Sequence, residues 1–241
     1  MFERILKSKR EAQEKERGLP KHIAITMNGN LTWSLKHGKP LPDAYRKGFD
    51  VVNSVIQAQT ELGIPVLTFH ILPERLIDLK EFPIFMELLI EFLAELKSNK
   101  TIKNNQVKVS VLGKWYELPG RLIEPIKDIL DETKEYDRFF LNMCINYSGH
   151  EEIVDACRLI ARKVAAEKLH PDAINRDVVK ENLYCSFFVP PDLIICTGSS
   201  RELEGLLLWD SAHSVIHQSE RLWPDFTQAD FEKAIDEYKK I

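Results

Sequence analysis

Apolar positions along this chain follow two spacings. Short continuous or alternating runs mark strands, and runs recurring every three or four residues mark helices. The first short run is Ile23–Met27, and it ends in Asn28-Gly29-Asn30. Gly and Asn tolerate positive φ better than other residues, so this is a turn signal. Residues 31–42 are expected to form a loop closed by Pro40 and Pro42. A long helix follows from about Asp43 to Leu62, with Val51, Val52, Val55 and Ile56 as its buried stripe and Gly63 as its stop.

The alternation of elements continues to the end of the chain. Pro65–Leu72 is the second strand, and 81–98 a markedly apolar helix. Such a helix is either buried on most sides or lines an apolar cavity, and pattern alone favours plain core. Val107–Leu112 is the third strand, and a helix opens at Leu118-Pro119-Gly120 and runs to about Thr133. Phe139–Asn146 is the fourth strand, and Tyr147-Ser148-Gly149 launches a helix over about His150–Glu167. Pro171–Leu183 is a short helical region with Asp172 as candidate cap, Leu193–Cys196 the fifth strand, Leu206–Trp209 a short helix and Val215–His217 a sixth strand. Thr227 with Asp230 resembles a capping box that starts the last helix. This order predicts an α/β fold with about six mainly parallel strands, covered by helices on both faces. No linker or repeat interrupts it, so 1–241 is expected to be a single domain with a leading charged helix over 1–19.

Composition narrows the function classes. Hydrophobic residues make up 44% and charged residues 29%, which is the globular range. A net charge of −4 gives no global field toward nucleic acid or anionic lipid, so no nucleic-acid partner is expected. Cys144, Cys157, Cys185 and Cys196 are widely spaced without a CxxC pair. That predicts reduced thiols in a cytoplasmic protein and no structural zinc. No run of 18 apolar residues exists, and the charged start of the chain lacks the apolar core of a signal peptide. Phe2, Ile5 and Leu6 suit a short basic helix touching a membrane surface; a solvated leading helix is the blander expectation.

Several motifs, in order, carry a resemblance. Met27-Asn28-Gly29-Asn30-Leu31-Thr32-Trp33 is similar to MDGNxRW, and Asn146-Tyr147-Ser148-Gly149 with Glu152 and Ile153 is similar to NYGGxxEI. Pro191-Asp192-Leu193-Ile194, Leu207-Leu208-Trp209 and Leu222-Trp223-Pro224-Asp225-Phe226 complete the set. The chain thereby resembles the cis-prenyltransferases, the undecaprenyl diphosphate synthase family. The resemblance implies six parallel strands, flanking helices and an elongated apolar tunnel. It also implies addition of isopentenyl diphosphate to an allylic diphosphate with cis geometry. Ionising an allylic diphosphate calls for cationic groups and Mg²⁺.

The residues that would perform that chemistry are the ones that differ. Asn28 stands where the family has its catalytic Asp, and a neutral amide adds no negative charge for a hard cation. Thr32, Leu41 and Tyr45 stand where the family usually shows Arg, Arg and His at the allylic diphosphate. Leu72-Pro73-Glu74-Arg75-Leu76 does not reproduce the family's Ser-x-Glu-Asn-Trp. Cys196 and Glu202 replace the two Args that bind isopentenyl diphosphate, and Val215 falls where a metal-binding Glu is expected. The family's Arg-x-Gly tail is not matched by Tyr238–Ile241. Each lost Arg–phosphate contact removes about 1.5–3 kcal/mol of charge-assisted hydrogen bonding. Asn28, Cys196, Glu202 and Val215 are therefore degenerate catalytic positions, and Gly29, Asn30, Trp33, Lys36, Lys39, Arg46 and Arg201 a vestigial substrate set. No metal is expected on this chain, with Mg²⁺ in a partner or in the case that the chain is active.

The resemblance implies two readings and a fainter third. One is a non-catalytic family member that supports a catalytic homologue as a heteromer. The family includes such subunits, of the Nogo-B receptor type, which lack the catalytic Asp. Another is a divergent prenyltransferase, alone or as a homodimer, with rearranged diphosphate contacts or a different prenyl substrate. The third is a prenyl-lipid-binding protein using only the apolar region around 82–96.

Overall fold

The computed structural model describes residues 18–200 and 202–241. Six parallel strands form one sheet in the order β3-β4-β2-β1-β5-β6. They are β1 (His22–Thr26), β2 (Val66–Pro73), β3 (Val107–Leu112), β4 (Phe139–Tyr147), β5 (Leu193–Thr197) and β6 (Val215–Ser219). All residues of β1, β2 and β5 are buried. That is why their sequences are near-continuous apolar runs rather than alternating ones.

Helices cover the sheet: α1 (Asn30–His37), α2 (Leu41–Leu62), α3 (Phe82–Ser98), α4 (Lys100–Asn104), α5 (Gly120–Thr133), α6 (Gly149–Ala165), α7 (Arg176–Lys180) and α8 (Gln228–Lys239). Strand parity divides the core. Ile23 and Ile25 of β1 and Leu193 and Ile195 of β5 join the larger cluster with α2, α3, α5 and α8. Ala24, Ile194 and Cys196 face a smaller cluster with Ala156 of α6, Leu183 and Leu206. The alternation follows from the two-residue side-chain period of a strand.

Most expected elements are present, and the differences have local causes. Residues 31–42 are largely helical rather than looped. Gly29 at φ 111 starts α1, and Gly38 at φ 59 ends it, its N–H donating to the Leu35 carbonyl and the Lys39 N–H to that of Ser34. Only Trp33 and Ser34 of α1 are buried, and Leu31 and Leu35 are exposed, so no apolar stripe announces this helix. Leu206–Trp209 forms turns, with a 3₁₀ turn following at Asp210–His213. In the 171–183 region the helix cap is Asn175, whose Oδ1 accepts from the Val178 N–H at 3.0 Å, and not Asp172. The short helix α4 was not anticipated; Asn99 caps it by accepting from Thr101 and Ile102. The capping box of Thr227 and Asp230 on α8 is present. The leading helix expected over 1–19 lies outside the described residues, except Gly18 and Leu19, which are not helical.

The apolar 81–98 helix packs as core, as its pattern favours. Helix α3 buries Phe85, Leu88, Leu89, Phe92, Leu93 and Leu96, a helical three-and-four spacing. Phe92 stacks on Phe49 of α2 with centroids 4.5 Å apart and planes 12° apart. Phe85 sits 5.9 Å from Phe49 and meets Tyr45 edge-on at 4.9 Å. This column of rings occupies the space between α2 and α3. Each ring contributes about 1.5–3 kcal/mol through burial.

Candidate functional site: a cleft at the carboxyl ends of the strands

The chain runs from β1 outward to β2, β4 and β3 on one side and to β5 and β6 on the other. In open α/β sheets the ligand crevice lies beyond the carboxyl ends at such a reversal of strand order. Here the reversal brings the turn after β1 against the turn after β5.

The β1 turn is held rigidly by its backbone. The Asn28 N–H donates to Thr197 Oγ1 at 3.0 Å, and that hydroxyl donates to the Thr26 carbonyl at 2.8 Å. The Asn28 carbonyl accepts from the Trp223 N–H at 2.9 Å. Gly29 is required on two counts: its φ is 111, and a Cβ there would lie 2.8 Å from Leu222 Cδ2. Trp33 Nε1 donates to Asp225 Oδ1 at 2.8 Å, and Lys47 reaches the same oxygen at 2.5 Å while lying over the Trp33 ring. Burial alone would raise the Asp225 carboxyl; the hydrogen bonds from Lys47 and Trp33 outweigh it and hold its pKa below the ordinary value. The Leu222–Phe226 segment thus acts as a brace for the turn.

A second motif braces the opposite wall. The Tyr147 hydroxyl donates to Glu152 Oε2 at 2.5 Å, and the Cys185 N–H donates to Oε1 at 3.2 Å. Glu152 is fully buried. Burial, with the Glu152 carboxylate beside it, pushes the Tyr147 phenol well up, so it stays a donor.

Beside the β1 turn lies a narrow cleft of about 50 Å³, lined by Met27, Asn28, Asn30, Tyr45, His70 and Arg75 among others. Its apolar wall ends on Phe49 and Phe85 of the ring column. Its polar wall carries two buried atoms without a protein hydrogen-bond partner, Asn28 Nδ2 and Asn30 Oδ1, beside the buried ring of His70, which lies against the Tyr147 backbone. His70 is 2% exposed. Burial pushes its imidazole down to about 4, against an upward pull from the Tyr147 backbone and with a further downward push from Arg75. The ring is therefore neutral near pH 7, one nitrogen a donor and the other an acceptor. At the mouth Arg75 is ion-paired with Glu204. Beyond it a wider cleft is lined by Glu74, Arg75, Tyr147, Ser148, His150, Glu202 and Glu204.

The residues singled out from sequence are distributed unevenly about this cleft. Asn28 and Asn30 line it, and Glu202 lines its outer part. Gly29 and Trp33 shape the turn. Lys36 and Lys39 are exposed beyond the cleft, and Arg46 is exposed and 3.7 Å from Asp43. Cys196 is 1% exposed within the smaller apolar cluster, and burial pushes its thiol up. Val215 pairs with Leu193 at the amino end of β6, the far end of the sheet from the turn. Arg201 lies outside the described residues. The cleft residues not singled out are His70, Arg75 and Glu204. His70 had a signal, a lone polar ring in the apolar run Val66–Pro73; Glu204 had none.

A sequence profile of the family described as "Putative undecaprenyl diphosphate synthase" matches residues 26–241. The chain belongs to this family. The isoprenyl transferase of Thermotoga maritima is 34% identical over 224 residues, covering 92% of this chain and 94% of that protein. The tritrans,polycis-undecaprenyl-diphosphate synthase (geranylgeranyl-diphosphate specific) of Methanopyrus kandleri is 32% identical, covering 100% of this chain and 88% of that protein. Among solved structures, lavandulyl diphosphate synthase from Lavandula x intermedia, in complex with dimethylallyl diphosphate, superposes with a TM-score of 0.88 at 25% identity. It covers 92% of this chain and 95% of that one.

The Mg²⁺ that the family implies does not fit the donors present. Asn28 offers an amide, Val215 offers nothing and lies at the wrong end of its strand. Among the described residues no three His, Cys, Asp or Glu side chains converge as a metal site. No helix among them is long and apolar enough to cross a membrane.

Proposed function

We propose that this chain is a non-catalytic cis-prenyltransferase subunit that supports a catalytic homologue in polyprenyl diphosphate synthesis. The observation that carries this reading is the charge of the cleft. Glu74, Glu202 and Glu204 line its outer part, and Arg75, the only Lys or Arg among the described lining residues, is already paired with Glu204. Two diphosphates would meet net negative charge there, the reverse of what phosphoryl binding needs. The intact braces from Trp223, Asp225 and Glu152 fit a chain retained for its scaffold. The Mg²⁺ and the Arg set would come from the partner. Contact with a membrane surface, where a polyprenyl product would collect, belongs to the same reading.

The test is reconstitution. Protein captured from its native cells should bring down a homologue with the full Asp and Arg set, and adding this chain should raise that homologue's incorporation of isopentenyl diphosphate. No effect on the homologue overturns the reading.

The ring column favours a second reading. Tyr45, Phe85, Phe49 and Phe92 pack on one another beside the cleft, which would suit an enzyme that couples short rather than long prenyl diphosphates. Turnover by the purified chain alone separates this from the subunit reading.

A further inference from the structure

We propose that the exposed face of α1, carrying Leu31 and Leu35 with Lys36 and Lys39 beside them, docks this chain on an anionic lipid surface. The inference rests on the membrane-contact part of the reading above and gives that contact a place on the fold. It does not depend on whether the chain is catalytic.

Helix α1 has one anchored side and one bare side. The anchored side is Trp33 and Ser34, both buried. Trp33 Nε1 donates to Asp225 Oδ1, and Ser34 Oγ donates to the Lys39 carbonyl at 2.6 Å. These bonds hold the helix and the turn after it against the body of the protein. Leu31 and Leu35 are four residues apart and so share a face, and they are 58% and 74% exposed. A single exposed leucine is ordinary. Two on one turn of an eight-residue helix that buries only two side chains contribute little to the core, which leaves their apolar surface for something outside it. The same end of the sheet also exposes Leu79 and Ile84, in the segment that follows β2.

Charge selects the occupant. The chain as a whole carries −4, yet from Asn28 to Pro42 it has two lysines and no Asp or Glu. Lys36 and Lys39 are exposed and, among the described residues, have no ion-pair partner. The next charges along the chain, Asp43 and Arg46, lie 3.7 Å apart and offset each other. Leucines beside unpaired lysines suit the boundary of an anionic bilayer, where apolar side chains enter the acyl region and the cations meet headgroup phosphates. A neutral bilayer would leave the lysines without counter-charge.

The experiment sediments the full chain, at low salt, with vesicles of phosphatidylcholine alone and of phosphatidylcholine with an equal part of phosphatidylglycerol. Binding to the anionic vesicles is expected to be at least about tenfold tighter, the gain that two lysines at the surface supply. Salt at about 0.5 M should remove most of that preference. Leu31→Ser with Leu35→Ser should weaken binding to the anionic vesicles by at least about tenfold. Lys36→Gln with Lys39→Gln should bring it down to the level of the neutral ones. Val154→Ser with Leu159→Ser, which alters an exposed apolar pair on α6, should change nothing. All six side chains are exposed, and an unchanged urea midpoint confirms that each variant folds. Equal binding to the two vesicles, no binding to either, or binding that survives the loss of Leu31 and Leu35 overturns the proposal. If the leucine variant keeps its vesicle binding and loses capture of the homologue, the face belongs to a protein partner instead. The reconstitution assay contains no vesicles, so a failure there and a failure here are told apart.

Discussion

Trp223 and Gly48 are in direct contact: the indole N–H donates to the Gly48 carbonyl at 3.0 Å, across 175 residues of sequence. The approach exists because Gly48 has no side chain. A Cβ there would lie 3.0 Å from Trp223 Cδ1 and 3.0 Å from Asn30 Oδ1. Trp223 also holds the Asn28 carbonyl through its own N–H, so one contact links α2, the cleft turn and the segment before α8. Gly48→Ala should lower the unfolding free energy by about 1–3 kcal/mol through overpacking, as read from urea denaturation. An unchanged midpoint would show that the brace yields freely.

The ring column makes a second prediction. Phe92 is 2% exposed and stacked on Phe49. Phe92→Ala should cost about 3–5 kcal/mol, transfer and cavity terms together. Urea denaturation checks it, and a loss below about 1 kcal/mol would contradict the packing of this ring.

Two buried histidines set the acid limit of stability. Burial pushes His22 down from 6.5 to about 4, with smaller upward contributions from its Val189 hydrogen bond and nearby Asp210. His70 is likewise pushed to about 4, again chiefly by burial. His22 Nδ1 donates to the Val189 carbonyl at 2.6 Å, leaving Nε2 to accept from Thr68 Oγ1 at 2.8 Å. Both groups bind protons more weakly folded than unfolded. Their contribution is therefore complete above about pH 6.5 and is lost as pH falls toward 4, on the order of 3 kcal/mol for each. Unfolding free energy measured from pH 8 to pH 4 should be level at first and then fall across that window. A level curve throughout would contradict the burial of these rings.

Freeing the mouth cation should strengthen diphosphate binding. Glu204→Gln removes a carboxylate and releases Arg75, so affinity for geranyl diphosphate should rise about fivefold. Titration of both forms checks it, and an unchanged affinity would contradict it.

Restoring family residues singly should not restore chemistry. Cys196 is 1% exposed, and Cys196→Arg places a guanidinium there without a carboxylate partner. A loss of about 3–5 kcal/mol in unfolding free energy is expected. Asn28→Asp together with Cys196→Arg should still give no turnover, because Glu202, Glu204 and Glu74 keep the outer cleft acidic.

The sheet was legible because its strands are short, buried apolar runs bounded by Gly, Asn and Pro. Val107–Leu112 agrees to the residue with its expected bounds. Helix α1 was not legible, because its two αL glycines and one buried Trp33 leave no periodic stripe. The turn at Asn28-Gly29-Asn30 could be read from its Gly and Asn, and it lines the cleft. The polar wall could not be read: His70 comes to the same cleft as Asn28 and Asn30 because β2 pairs with β1, and Glu204 reaches Arg75 across 129 residues. Pattern favoured core for the 81–98 helix, and Phe85, Leu88, Leu89, Phe92, Leu93 and Leu96 are buried; an all-apolar helix looks the same in sequence whether its rings line a space or fill it.

The most direct test of the central claim is incorporation of labelled isopentenyl diphosphate by the purified chain alone, with an allylic diphosphate and Mg²⁺. The account predicts no product from this chain by itself, and product above the homologue's own level when the two are combined. Sustained turnover by the chain alone would contradict it.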